Sequence, residues 1–135
     1  MSDAPPPLDR HKVQVFVSNS HGDLDTVRDL LAEEPQLVNA AWDWGGGDWE
    51  TGLGAAAHMG RRDIALYLIE NGACIDLFAA AMLGQADVVN AILLRFPEMR
   101  DAKGPHGIPL VEHARAGGED ATAVLELLEA KEVLR

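Results

Sequence analysis

The stretch "TGLGAAAHMGRRDIALYLIENGACID", residues 51–76, decides how this chain folds. Leu53 and the alanines that follow it give a short apolar segment that ends at Gly60. After Gly60, the residues Ala65, Leu68 and Ile69 recur at the spacing i, i+3, i+4, which marks one buried face of a helix. A glycine between two such segments favours a tight turn, because it accepts the left-handed backbone conformation. The stretch therefore predicts a short helix, a turn at Gly60 and a longer helix that runs back.

The same pattern occurs in three further copies, whose turn glycines are Gly22, Gly84 and Gly117. Seven residues before the four glycines stand the apolar residues Val15, Leu53, Leu77 and Leu110, and three before them stand Asn19, Ala57, Ala81 and Ala114. The second helices of the three further copies carry the triplets Val27, Leu30, Leu31; Val89, Ile92, Leu93; and Val124, Leu127, Leu128. Since one helix pair cannot bury its own apolar face, we expect the four units to stack.

These residues resemble the ankyrin repeats. Residues 51–76 follow the family pattern at Thr51, Leu53, Ala56, Ala57, Gly60, Ile64, Leu68, Gly72 and Ala73. With "GDLDTVRDLLAEEPQLVNA", "LFAAAMLGQADVVNAILL" and "GIPLVEHARAG" from the other copies, the resemblance covers about residues 13–128. It implies an all-α fold, a solenoid of four stacked helix–turn–helix units with short hairpin fingers between them.

The spacing of the turn glycines departs from the family in two places. Gly84 and Gly117 lie 33 positions apart, which is the ankyrin period. Gly60 and Gly84 lie only 24 apart, so we expect the finger at residues 74–76, from Cys74 to Asp76, to be nearly absent. Gly22 and Gly60 lie 38 apart, and the added residues fall in "WDWGGGDWE", residues 42–50, which predicts an enlarged finger from Trp42 to Glu50. In the fourth unit the second helix is expected to start late, after a longer turn.

Length, charge and cysteine content limit the classes of protein. At 135 residues, we expect a disordered lead-in over residues 1–10 and a single domain over residues 11–135. The net charge of −11 argues against nucleic acid and against anionic membranes as partners of this acidic protein. Cys74 is the only cysteine, which favours a reducing, cytoplasmic setting.

By the resemblance, partners are recognised by the fingers and by the first-helix positions just before the turn glycine. This implies a non-enzymatic module that holds a protein or peptide in its concave groove, as a monomer or weak homodimer. The binding residues are then expected to be Trp42, Trp44, Trp49, His21, His58, Met59, Met82, Leu83 and Arg115. Aromatic anchors within a polar rim are typical of binding hot spots.

The alternative hypothesis is a small-molecule site, or an enzyme that performs acid–base chemistry on a small organic molecule. Its catalytic candidates are Asp43, Asp48, His58 and His113, and it requires one of the two aspartates to reach one of the two histidines. His113 is notable because it replaces an alanine of the family pattern, so its ring must find a hydrogen-bond partner or line a site.

Each of these residues also has a plain structural explanation. The tryptophans can cap the end of the stack, Asp43 and Asp48 can be turn-forming carboxylates, and His106 in "GPHGIP" is expected to be exposed at the tip of the last finger. Asp43, Asp48 and His58 have the residue types of a metal site, but their spacing is unspecific, so neither a metal nor a cofactor is predicted. An enclosed cavity with convergent polar groups would favour the small-molecule hypothesis over the peptide hypothesis.

Overall fold

The computed structural model describes residues 3–130, and most of them are helical. The helices follow one another in four pairs, and each pair is joined by a short turn. They are α1 (Arg10–Asn19) and α2 (Leu24–Glu33), α3 (Gly52–His58) and α4 (Arg62–Glu70), α5 (Leu77–Met82) and α6 (Ala86–Arg95), and α7 (Leu110–Ala116) and α8 (Thr122–Glu129). Short 3-10 turns cover Pro35–Asn39, Pro97–Asp101, Pro105–Gly107 and Gly118–Ala121.

Side-chain caps define where the first helices of three pairs begin. Asp9, Thr51 and Asp76 each accept a hydrogen bond from the backbone amide three residues further on. Such a cap satisfies one of the amides that a helix leaves unpaired at its N-terminus. Helix α1 therefore begins at Arg10, the last residue of the predicted lead-in. Residues 1–2 of that lead-in and residues 131–135 of the predicted domain lie outside the described residues.

Two of the four turn glycines behave as the sequence predicts. Gly60 and Gly84 have φ values of 66° and 79°, in the left-handed region. Gly22 and Gly117 do not, and in the fourth unit the left-handed residue is Gly118, with φ 62°. Gly117 is needed for a different reason: a Cβ atom there would lie 2.1 Å from the carbonyl oxygen of Met82. The expectation of a left-handed turn at Gly117 is thus wrong: the left-handed position lies one residue later, and Gly117 is instead required by the close packing of the neighbouring unit on its backbone.

The first helices of the pairs stack on one another, with α3 in contact with α1, α5 and α7, and α5 in contact with α7. Their small residues make this approach possible, since the alanines at 55–57 and 79–81 are all fully buried. The triplets of the second helices lie in the core or against it. No helix among residues 3–130 has the length and apolar character to cross a bilayer.

The connections between units differ as the glycine spacing predicts. Between α2 and α3, strands β1 (Ala41–Asp43) and β2 (Trp49–Thr51) pair antiparallel and form a hairpin, which we call the first finger. Residues 71–76 form no strand, and the Asn39 side chain holds this short connection through the carbonyl of Gly72 and the amide of Cys74. Between α6 and α7, residues 103–109 form the last finger, closed by a bridge between Lys103 and Pro109.

The structure corrects the prediction of an apolar groove at Met82 and Leu83. Met82 is 1% exposed and Leu83 is 5% exposed, so neither side chain can contact a partner from the surface. Both belong to the core, because α5 lies between α3 and α7 and the start of the fourth unit covers its C-terminal end. Of the predicted apolar groove residues outside the first finger, only Met59 is exposed, and Arg115 is exposed with ion pairs to Glu112 and Glu129.

Candidate functional site

Glu50 is the buried polar residue of the first finger. Strand β2 alternates, so that Trp49 points to solvent while the Glu50 side chain, its neighbour, is fully buried. Gly45, Gly46 and Gly47 all have positive φ and let the hairpin turn sharply, and the Asp43 carboxylate accepts the amides of Gly45 and Gly47. Asp43 is therefore a turn-forming carboxylate that serves the hairpin itself.

Three imidazoles surround the Glu50 carboxylate. The Nε2 atom of His21 lies 3.1 Å from Oε1, and the Nε2 atoms of His58 and His106 lie 3.0 Å and 3.2 Å from Oε2. The indole of Trp44 donates a hydrogen bond of 2.9 Å to Oε1. We call His21, Glu50, His58 and His106 the histidine–glutamate cluster. One nitrogen of each ring and one carboxylate oxygen all lie within 4.8 Å of one another.

Four separate segments build this cluster. His21 lies in the turn between α1 and α2, Glu50 in β2, His58 in the last turn of α3, and His106 at the tip of the last finger. The first unit, the first finger, the second unit and the last finger therefore meet at one point. The shortened connection after α4 leaves the last finger close enough to reach the first, since Asp48 and His106 are in direct contact across 58 residues of sequence.

Second partners fix two of the three rings. His21 Nδ1 lies 3.0 Å from the carbonyl oxygens of both Val17 and Ser18. His106 Nδ1 lies 2.7 Å from Asp48 Oδ2, and the backbone amide of His106 donates to Asp48 Oδ1 at 2.7 Å. Because carbonyl and carboxylate oxygens only accept, these Nδ1 atoms carry the protons, and both Nε2 atoms are turned toward Glu50.

The electrostatics of the cluster favour an ionised glutamate. Burial alone raises the pKa of the Glu50 carboxyl, but the imidazoles of His21 and His58, when their Nε2 atoms carry protons and donate to the carboxylate, together with the Trp44 indole outweigh it and hold the pKa well below its usual range. In return, the Glu50 carboxylate raises the pKa of His21, against the opposing effect of burial. The backbone amide of His106 is the main cause that lowers the pKa of Asp48.

Burial is uneven across the cluster. Glu50 and His58 form its inner side, with side chains 0% and 11% exposed, whereas the side chains of His21 and His106 are 25% and 33% exposed. The ring of Trp44 lies 6.2 Å from that of His21 and 6.1 Å from that of His106, centroid to centroid. The cluster is therefore buried on the side of Glu50 and His58, and its outer side reaches solvent beside the indole of Trp44.

The structure brings some of the predicted site residues together and leaves others apart. His21, His58 and Trp44 belong to the cluster or contact it, and Asp48 supports it through His106. His113 does not join it: the residue is fully buried, its Nδ1 donates to the Pro109 carbonyl at 2.9 Å, and its ring packs on Phe78. Neither predicted pairing of an aspartate with His58 or His113 is present; Glu50 takes that place beside His58.

The remaining tryptophans lie away from the cluster. Trp42 is half-buried and packs on the core, with the Arg10 guanidinium 5.8 Å from its ring. Trp42 and Trp49 border a cavity of about 430 Å³ together with Arg10, Val13 and Asp43. This cavity has a size typical of ligand pockets, but Trp44 and the histidines do not line it.

The sequence alone does not single out Glu50 and His106 as site residues. The alternation of "DWE" already places Glu50 on the side opposite Trp49, and a buried carboxylate needs partners. His106 gave no such signal. Comparisons of the chain with protein-family models, with curated proteins and with solved structures returned no significant match.

Proposed function

We propose that this chain is a helical-repeat protein of the ankyrin kind that binds a small polar ligand or ion at the histidine–glutamate cluster. The supporting observation is the Glu50 carboxylate, fully buried and within 3.2 Å of three imidazole nitrogens from three other segments. A fold does not need such a convergence, because an apolar side chain at position 50 would cost less to bury. Clusters of titratable groups with shifted pKa values are typical of functional sites.

The repeat architecture supports this proposal through the fingers. In an ankyrin-type stack the fingers project from one edge, and here the first finger is enlarged while the next is nearly absent. The last finger can then approach the first, and their contact at Asp48 and His106 holds the His106 ring against the cluster. The exposed thiol of the lone cysteine, Cys74, agrees with a cytoplasmic protein.

Acid–base chemistry at this cluster would be carried by the imidazoles and not by the glutamate. A general base works best with a pKa near the working pH, and the pKa of Glu50 is held far below neutrality. His21, whose pKa is raised by Glu50, is the group best placed to donate a proton near neutral pH.

The test compares wild type with Glu50→Gln in a thermal-shift screen of carboxylic acids, phosphates, amines and inorganic ions, after chelator treatment. A ligand that binds only the native state must raise the melting temperature by mass action. We expect at least one compound to stabilise wild type and to have no effect on Glu50→Gln. Compounds that stabilise both proteins equally would place the binding elsewhere.

A second candidate is a protein or peptide partner held against the first finger, which two exposed apolar side chains favour. Trp49 is 61% exposed and Met59 is 52% exposed. Selection of displayed peptides on wild type, with Trp49→Ser as the counter-selection, tests this candidate. Peptides that require Trp49 and bind Glu50→Gln as well as wild type would support it over the cluster.

A further inference from the structure

We propose that the ligand of the histidine–glutamate cluster is a divalent transition-metal ion, bound by His21, Glu50, His58 and His106. This inference rests on the proposed function and names the class of ligand. Three observations support it. They are the positions of the protons on the imidazole rings, two buried polar atoms without hydrogen-bond partners, and the types of ligand atom in the cluster.

The hydrogen bonds of His21 and His106 leave their Nε2 atoms free to coordinate. Nδ1 of His21 donates to backbone carbonyls and Nδ1 of His106 donates to Asp48, so a neutral ring has its lone pair on Nε2. Those lone pairs lie 3.1 Å and 3.2 Å from oxygens of Glu50, and two lone pairs at that distance repel. A cation bound between them removes the repulsion. An Nδ1–H that donates to a carbonyl or carboxylate is also the usual outer-shell arrangement of a metal-bound histidine.

The inner side of the cluster contains two buried polar atoms that no hydrogen bond satisfies. Oε2 of Glu50 and Nε2 of His58 lie 3.0 Å apart, but this contact lacks the geometry of a hydrogen bond, and neither atom has another hydrogen-bond partner among residues 3–130. A buried carboxylate oxygen without a hydrogen bond costs more free energy than an unsatisfied neutral group, so its presence favours a bound ligand. A metal ion would satisfy both atoms at once.

The distances fit a four-coordinate ion after a small contraction. In tetrahedral zinc sites the nitrogen and oxygen ligands lie about 2.0–2.2 Å from the metal, which places the ligand atoms roughly 3.3–3.6 Å apart. Here the four candidate atoms lie within 4.8 Å of one another, and the contacts of 3.0–3.2 Å to Glu50 are divided between its two oxygens, with Oε1 beside His21 and Oε2 beside His58 and His106. Binding would bring the Nε2 atoms of the partly exposed His21 and His106 inward, with the Nδ1 hydrogen bonds of both rings kept.

The donor set selects the metal class. Three imidazoles with one carboxylate suit zinc, iron, nickel or copper, whereas magnesium and calcium prefer sets made of oxygen atoms alone. With the Glu50 carboxylate ionised and the imidazoles neutral, the ion's charge would be partly neutralised on the buried side. Since the four ligands come from four segments, the ion would also hold both fingers to the first two units.

The competing arrangement is one in which a second proton on His21 or His106 takes the place of the ion. An imidazolium donates from Nε2 and would also relieve the repulsion with Glu50. The two arrangements differ in whether a metal binds at all, so a direct binding measurement separates them.

The experiment titrates zinc into the chelator-treated, full-length chain at pH 7.5 by calorimetry, with cobalt absorption spectra as the coordination readout. We expect one ion per chain and, with cobalt, visible bands typical of four or five ligands. Glu50→Gln and His58→Gln should each weaken zinc binding by about 10-fold or more. His11→Gln removes an exposed histidine of α1 outside the cluster and should leave zinc affinity unchanged.

Since substitution of the buried Glu50 risks the fold, His106→Gln provides a second variant at a partly exposed position, and circular dichroism checks every protein. The metal inference is overturned if wild type does not bind zinc. It is also overturned if Glu50→Gln and His106→Gln bind zinc as strongly as wild type does. If zinc fails while an organic compound stabilises wild type and not Glu50→Gln, the proposed function stands and only the metal is wrong. If neither binds, both proposals fail.

Discussion

Asp48 holds His106 at two points, although 58 residues separate them in sequence. One carboxylate oxygen accepts the backbone amide of His106 and the other lies against its Nδ1, both at 2.7 Å. His106 has φ 62°, a conformation uncommon for residues other than glycine. The aspartate thus stabilises an unfavourable backbone at the tip of the last finger and orients the ring whose other nitrogen faces Glu50.

Replacement of Asp48 by Asn is expected to release the tip of the last finger. The two donors of His106 face two different oxygens of Asp48, and in asparagine one of these positions becomes an NH2 group, which cannot accept. We predict faster hydrogen exchange of the His106 amide in Asp48→Asn, measured by NMR at constant pH. Asp43→Asn is the matched control, because within residues 3–130 the Asp43 carboxylate accepts hydrogen bonds only from amides of its own turn. Unchanged exchange of the His106 amide in Asp48→Asn would contradict the two-point contact.

Trp44 and Trp49 should contribute unequally to stability. Trp44 donates a hydrogen bond to the buried, charged Glu50, whereas no hydrogen bond of the Trp49 indole is found among residues 3–130 and Trp49 is 61% exposed. Loss of a hydrogen bond to a charged group costs about 1.5–3 kcal/mol. We expect Trp44→Phe to lower the free energy of unfolding by about that amount and Trp49→Phe by much less, both measured in urea. Equal losses would show that the indole N–H is not what stabilises Glu50.

The helix pairs were predictable because their signal is local. The apolar spacing around Gly60 and Gly84 requires a turn between two helices, and both glycines are left-handed as expected. The roles of Gly22 and Gly117 could not be derived in the same way. At Gly117 the requirement is the approach of the Met82 carbonyl from a neighbouring unit, and such a contact has no local pattern.

The candidate site was only partly predictable for the same reason. His58 and Trp44 stand at positions where the repeat pattern places groove and finger residues, so the sequence could single them out. Glu50 and His106 meet because two fingers of unusual length fold toward each other, and residue spacing does not encode that approach. The burial of Met82 likewise depends on how closely the fourth unit packs on α5, which the sequence pattern of a single unit cannot show.

Two glycines with positive φ provide a test of the stacking. Gly84 has φ 79°, and a Cβ atom there would lie 1.9 Å from the carbonyl oxygen of Asp120; Gly72 has φ 100° and open space around it. Gly72→Ala should cost about 1–2 kcal/mol of stability from backbone strain alone. Gly84→Ala adds a steric clash between units to the same strain, so it should lower the stability by about 2–5 kcal/mol in total. Denaturant unfolding of both variants measures the difference, and a similar loss in both would argue against close packing of the fourth unit at Gly84.

His113 should make the stability of this protein fall as the pH drops. Burial is the main cause that lowers the pKa of His113 below its ordinary value of 6.5, and its Nε2 has no hydrogen-bond partner among residues 3–130. The folded state therefore keeps the ring neutral where the unfolded state takes up a proton. By linkage, the contribution of His113 is fully present above pH 6.5 and is lost as the pH falls from there toward the lower, folded-state pKa.

His113→Gln removes this titration while it retains a side chain of similar length. We expect the variant to be less stable than wild type at pH 7.5, because the packing on Phe78 is lost, but to lose less stability between pH 7.5 and pH 5.5. Urea midpoints measured at three pH values give the pH dependence of stability for each protein. A chelator is present throughout, so that the histidine–glutamate cluster is in the same state in both proteins. If His113→Gln and wild type lose stability in parallel, the His113 imidazole takes up its proton as readily in the folded protein as in the unfolded chain, and its burial does not lower its pKa.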